Sequence, residues 1–184
     1  MSADGEFKIV FTGPMGAGKT TAIATISDDA PVSTDVLNND HATFDKESTT
    51  AGLDYGRIVV DGDMAVRLYG TPGQNRFKFM WEILSQGAAG IIVLIDASQA
   101  DAMVQLEYFV DVFGRGKSVP IVVGIGRIGQ SGSPPIDAFS VRLENRGLTL
   151  PIFGVDVRQR ADVLLLVDTL LCLVEAPADA RLRA

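Results

Sequence analysis

Cysteine and histidine are nearly absent, with one of each in 184 residues. A lone thiol, Cys172, can form neither an internal disulfide nor a metal cluster, and its neighbours Leu170, Leu171 and Leu173 predict a small buried core residue. His41 stands alone in a polar stretch and is given no role. Basic residues are also scarce. Sixteen Lys and Arg against 23 Asp and Glu leave a formal charge of −7, which argues against nucleic acid or an anionic membrane as a partner. No apolar run reaches the about 20 residues of a membrane span. The greasiest stretch, 163–174, is interrupted by Asp168 and reads as a buried helix, so no stable membrane insertion is expected. The start, MSADGEFKIVF, lacks the apolar segment of a secretory signal, and a cytoplasmic location is the expectation.

What is present is enough apolar material, 47% of residues, for one globular domain over residues 1–184. Short apolar runs bounded by Gly, Pro and Asp alternate with stretches of helical spacing. That alternation predicts a three-layer α/β fold with a mostly parallel sheet. Six strands are expected at 7–12, 53–60, 64–69, 90–96, 120–124 and 150–155, and a further short strand fits 32–34. Asp61-Gly62-Asp63 is short enough to force a hairpin, so one strand should run against the rest. Helices are expected at 18–26, 77–86, 98–113, 137–146 and 161–174, with Ser98 capping the third and Gly114 and Gly147 ending the third and fourth. The stretch 27–49 has no sustained period and reads mostly as loop, of a length that in compact domains tends to be functional.

Gly13-Pro14-Met15-Gly16-Ala17-Gly18-Lys19-Thr20 fits the P-loop pattern G-x-x-x-x-G-K-[ST], between an apolar strand and a helix as that motif requires. Its glycines let successive amides turn inward onto phosphate oxygens, and the helix start adds partial positive charge. Lys19 is expected on the β and γ phosphates and the Thr20 hydroxyl on Mg²⁺, with Thr21 included as the next residue of the helix start.

From this point the residues resemble the Ras superfamily, in particular a bacterial branch related to the gliding-motility GTPases and their roadblock-type partner proteins. The resemblance runs along nearly the whole chain. Thr50-Ala51-Gly52-Leu53-Asp54-Tyr55 is similar to the family's T-x-G-x-D-[FY], which implies Thr50 as the switch threonine that closes over Mg²⁺ and the γ phosphate. Gly70-Thr71-Pro72-Gly73-Gln74 resembles D-x-x-G-Q, which implies Gly73 as the γ-phosphate sensor and Gln74 as the residue orienting the attacking water. Gly70 stands where the family has an Asp that holds the metal through water. The resemblance therefore implies weaker Mg²⁺ binding or a substitute from the long loop, with Asp35, Asp40 and Asp45 as candidates.

Gly126-Arg127-Ile128-Gly129 takes the place of the family's N-K-x-D, so the Asp that reads guanine is missing. Arg127 is implied as the residue lying over the base, with Gln130 and, after the sixth strand, Asp156 and Arg158 as base-end candidates. Met15 puts bulk beside the γ phosphate and, with Gly70, implies slow intrinsic hydrolysis. In 76–84, one of Phe79 and Trp81 should remain exposed beside the sensor loop, as a partner surface or as plain packing surplus.

The resemblance thus implies a GTP/GDP-dependent switch with Mg²⁺, slow GTP hydrolysis and a regulatory partner protein, of roadblock type in the related branch. Two other readings stay open. GPMGAGKTT also looks like the P-loop of shikimate-type small-molecule kinases, although no Arg-rich lid is evident, and Gly70 with Gly129 suits a pseudo-GTPase scaffold.

Overall fold

The apolar strands alternate side chains between two faces, and each face is covered by helices. The computed structural model describes residues 6–30, 32–33, 53–61, 64–114 and 119–176. It is an α/β fold of the P-loop type, with β1 (Glu6–Thr12), α1 (Lys19–Ile26), β2 (Val32–Ser33), β3 (Asp54–Asp61), β4 (Met64–Gly70), α2 (Lys78–Ser85), β5 (Gly90–Asp96), α3 (Ala102–Gly114), β6 (Ile121–Gly126), α4 (Ile136–Glu144), β7 (Ile152–Gly154) and α5 (Arg160–Glu175). The six expected strands are present, and β2 adds a two-residue edge.

The sheet order is β2-β3-β4-β1-β5-β6-β7. Here β3 runs antiparallel to both of its neighbours, β2 and β4, pairing Tyr55 with Tyr69 across the β3–β4 ladder. From central β1 the chain builds outward in both directions, which makes the carboxyl end of β1 the switch point where open α/β sheets bind ligands.

Alternation along the strands assigns the two cores. Ile9, Phe11, Ile92 and Leu94 pack with Ile23 and Ile26 of α1 and Leu166 and Leu170 of α5. Val10, Val93 and Ile95 face the other way, onto Trp81 of α2, Leu106, Phe109 and Phe113 of α3, and Phe139 of α4. Each such buried side chain stabilises the fold by roughly 1.5–3 kcal/mol, so the central strands are the rigid frame of the site.

Two local expectations are corrected, on Cys172 and Ser98. Cys172 is exposed, because the inward stripe of α5 is Val163, Leu166, Val167 and Leu170, and position 172 falls on the opposite side. Ser98 does not cap α3, which begins at Ala102. The Asp96 carboxylate takes both the Ser98 amide and hydroxyl, at 3.0 and 2.7 Å, and bends the chain away before the helix starts. Of the aromatic surplus in α2, Phe79 is exposed while Trp81 is buried against Tyr108, Phe109 and Phe113. Gly114 does end α3, and Gly147, at φ 72°, follows α4.

Candidate functional site

At the carboxyl edge of the sheet lies a cavity of about 940 Å³. Its walls come from four loops: 15–21 after β1, 71–74 after β4, 125–130 at the end of β6, and 154–158 after β7, with Asp54 and Asp96 between them.

The P-loop end starts where β1 stops. Gly13, at φ 136°, passes so close to β5 that a Cβ there would fall 2.1 Å from the Leu94 carbonyl oxygen, which leaves glycine as the residue that fits. The chain then wraps through Gly16 and Gly18, both at positive φ, into α1. Lys19 is buried and donates to the carbonyls of Gly13 and Pro14, at 2.8 and 2.7 Å. Burial pulls its pKa down to about 8, while the negative charge of Asp54 acts in the opposite sense. Among the loop residues, Met15 to Thr21 line the cavity, while Gly13 and Pro14 meet the lysine through their carbonyls.

Thr20 has a neighbour that the sequence reading did not weigh. Its hydroxyl donates to Asp54 Oδ2 at 2.7 Å, and Asp54 is buried on β3 at the cavity wall. A Cβ at Gly70 would lie 2.9 Å from both Asp54 Cβ and Oδ2. The space above β4 that a side chain at position 70 would occupy is therefore filled by the carboxylate of the neighbouring strand. Asp54 is a carboxylate that the reading of Gly70 did not weigh, and the candidates Asp35, Asp40 and Asp45 lie outside the described residues, as does Thr50. The signal was available: Asp54 is the fifth residue of the same Thr50 motif, and it pairs in register with Gly70. A hydroxyl and a carboxylate joined at hydrogen-bond distance form an oxygen donor set of the hard kind that suits Mg²⁺.

The 71–74 loop is fastened to both β1 and the core. The Thr71 amide donates to the Phe11 carbonyl at 2.9 Å, and the hydroxyls of Thr12 and Thr71 share a buried hydrogen bond, also 2.9 Å. Trp81 Nε1 donates to the Pro72 carbonyl at 2.6 Å. Gly73 lies on the P-loop itself, for a Cβ there would fall 2.4 Å from the Met15 nitrogen. The Gln74 amide points at Met15 Sδ, 3.6 Å away, and Met15 is otherwise 72% exposed.

The opposite end of the cavity is built from ion pairs. Asp96 closes β5, is 4% exposed, and accepts from Ser98, Gln99 and Arg127. Burial pushes its carboxyl up, but the Ser98 and Gln99 hydrogen bonds and the Arg127 charge outweigh that and hold it below the ordinary range. After β7, Asp156 takes a two-pronged grip from Arg158, at 2.8 and 2.7 Å, and those hydrogen bonds lower its pKa to about 2. Arg127, Gln130, Asp156 and Arg158 thus line one cavity with the P-loop, and Gly129 offers no side chain there. Asp96 was missed in the sequence, although an acid ending the run Gly-Ile-Ile-Val-Leu-Ile was the available sign.

Comparison with known proteins finds similarities over about half of the chain. A family model described as "Conserved hypothetical ATP binding protein" matches residues 29–117. The chain is 31% identical over 94 residues to the uncharacterized protein MJ1339 of Methanocaldococcus jannaschii, covering 51% of this chain and 53% of that one. It is 31% identical over 104 residues to the Ras-related protein Rab-18-B of Danio rerio, covering 54% and 44%, and 28% identical over 98 residues to the ADP-ribosylation factor-like protein 8c of Arabidopsis thaliana, covering 53% and 46%. The chain spans about half the length of the curated relatives it matches. The fold and the glycine-rich motif are of the P-loop kind, and these partial similarities support a nucleotide as the ligand of this cavity. Within that class, the chain is distantly similar to the small GTPases of the Ras, Rab and Arf kind. Among the described residues, no helix is long and apolar enough to cross a membrane.

Proposed function

We propose that this chain is a small GTP-binding switch, with Mg²⁺ as cofactor, in which the 71–74 loop senses the γ phosphate. The observation that carries the reading is the seat of Gly73 on Met15, beside the buried ammonium of Lys19. A phosphate held by Lys19 and the loop amides enters a space bounded by Gly73, so a triphosphate and a diphosphate meet this loop differently. Thr71 and Trp81 transmit any shift of the loop to β1 and to the α3 aromatic cluster.

Thr20 and Asp54 would hold the metal, with Thr50 completing the set by resemblance, and the ion would supply charge neutralisation for the phosphates. Lys19 withdraws from its carbonyl partners to meet the nucleotide. Gln74 is the residue that would orient water, but its amide is turned to Met15 Sδ, which supports slow hydrolysis without a partner. A regulatory protein, of the roadblock type that the resemblance implies, would then re-aim Gln74 or deliver the missing charge. The exposed Phe79 and Ile83 on α2, next in sequence to this loop, offer it an apolar foothold.

A specific observation favours a second reading in which the base is adenine: the matching family is described as ATP-binding, and Gly129 leaves no carboxylate at the expected guanine reader. Calorimetric titration with GTP, GDP, ATP and ADP, with and without Mg²⁺, separates the two. Tight GTP and GDP with weak ATP is the expected outcome, whereas equal affinities would remove the guanine assignment. Phosphate transfer to a small acceptor faster than hydrolysis would replace the switch by a kinase.

A further inference from the structure

We infer that Asp96 is a positioning residue for the base end of this site, fixing Arg127 as a flat cationic platform against which a purine ring stacks. The inference rests on the nucleotide-site reading above and assigns a role to a residue that the motif pattern leaves out.

Three observations support it. Arg127, at φ 57°, is the one non-glycine residue with positive φ among the described residues, a backbone state that a side chain with a Cβ disfavours. The turn itself does not require an arginine there, since glycines stand at 126 and 129. Strain of this kind persists where surroundings over-determine a residue, and it gathers at ligand sites. Second, Arg127 Nη1 donates to Oδ2 of Asp96, a carboxylate that is 4% exposed, whose Oδ1 accepts from the Ser98 amide and hydroxyl and whose Oδ2 also accepts from the Gln99 amide. A buried acid is costly unless it is paired, so an apolar residue would have served the strand end better if packing were its purpose. Third, the Arg127 side chain remains about half exposed, 51%, and both partners line the cavity.

The chemistry that fits is a neutral aromatic ring rather than another phosphate. The charge of Arg127 is already met by Asp96, which makes it a weak anion anchor, whereas a guanidinium plane stacks on aromatic faces whether or not its edge is bonded. The position is right as well. β6 lies two strands from β1 in the sheet, and at a spacing of about 4.8 Å per strand that puts Arg127 about 10 Å from the P-loop strand, on the scale of the reach from a nucleotide's phosphates to its base. With no side chain at Gly129 to grip the base edge, the ring face becomes the principal handle.

The test compares GDP, ADP and inorganic pyrophosphate as calorimetric probes, with Mg²⁺, on the full chain and on Asp96→Asn, Arg127→Ala and the double variant. Each single substitution should weaken the tighter-binding nucleotide about 10-fold, in keeping with a desolvated cation–π contact, while pyrophosphate affinity stays within about twofold. The double variant should be no weaker than Arg127→Ala alone, because both changes remove one interaction. Unchanged nucleotide affinity in Asp96→Asn, equal losses for nucleotide and pyrophosphate, or additive losses in the double variant would each overturn the inference. If Asp96→Asn does not fold, Arg127→Ala decides it, since an unchanged nucleotide-to-pyrophosphate ratio there is equally fatal. Wild-type protein that binds pyrophosphate no more weakly than nucleotide sinks this inference alone; wild-type protein that binds none of the probes sinks the nucleotide-site reading with it.

Discussion

The two ends of the cavity are built on different principles. At the phosphate end the work is assigned to backbone: three glycines at positive φ, a helix start, and one lysine held by main-chain carbonyls. At the base end it is assigned to side chains in ion pairs, Asp96 with Arg127 and Asp156 with Arg158. The first kind of site is fixed by steric and peptide geometry and tolerates little change. The second can be re-tuned by swapping side chains without disturbing a strand, which is how one P-loop frame can serve different bases.

If that contrast is right, the largest effect should come from the phosphate end. Lys19→Ala removes charge-assisted hydrogen bonds worth about 1.5–3 kcal/mol each, so triphosphate affinity should fall at least about 100-fold by calorimetry. Retention of wild-type affinity would break the comparison.

The same lysine gives a pH signature. Burial holds it at about 8, below its ordinary 10.5, so the folded chain binds fewer protons than the unfolded chain between those values. Metal-free and nucleotide-free protein should therefore gain stability as pH rises from about 8 toward 10.5, by at most about 3 kcal/mol. Denaturant midpoints measured across that range should climb for the wild type and flatten for Lys19→Met.

Next in size is Asp54→Asn. Loss of the carboxylate beside Thr20 should weaken Mg²⁺-dependent GTP binding by about 10- to 100-fold and leave binding in chelator nearly unchanged. An equal loss in both conditions would show that Asp54 only supports the loop.

The smallest effect is expected from Arg158→Ala. Its pair with Asp156 is at the surface and should contribute little to the fold, so the melting temperature should stay within about 2 °C. The GTP-to-ATP preference is where a change should appear, read by the same titrations.

Much of this was legible in the sequence, and for identifiable reasons. β5 was read to the residue because Gly90 and Asp96 punctuate an unbroken apolar run, and the P-loop because its glycines and lysine have fixed spacing. The parts that escaped depend on neighbours distant in the chain. Asp54 takes over the space at Gly70 only because β3 pairs antiparallel with β4 in that register, and no reading of 70–74 alone could show it. Ser98 looked like a helix cap because its competition with Asp96 is decided by the bend that Asp96 imposes. Cys172 was assigned to the core by its leucine neighbours, but a helix hydrophobic nearly all round hides which stripe faces inward.

The bond from Trp81 to the Pro72 carbonyl has a practical corollary. The chain carries a single tryptophan, and its indole is tied to the loop proposed to sense the γ phosphate. Its ultraviolet emission is therefore an intrinsic optical gauge of that loop: stopped-flow mixing of unlabelled protein with nucleotide can time the loop's response, with no dye attached.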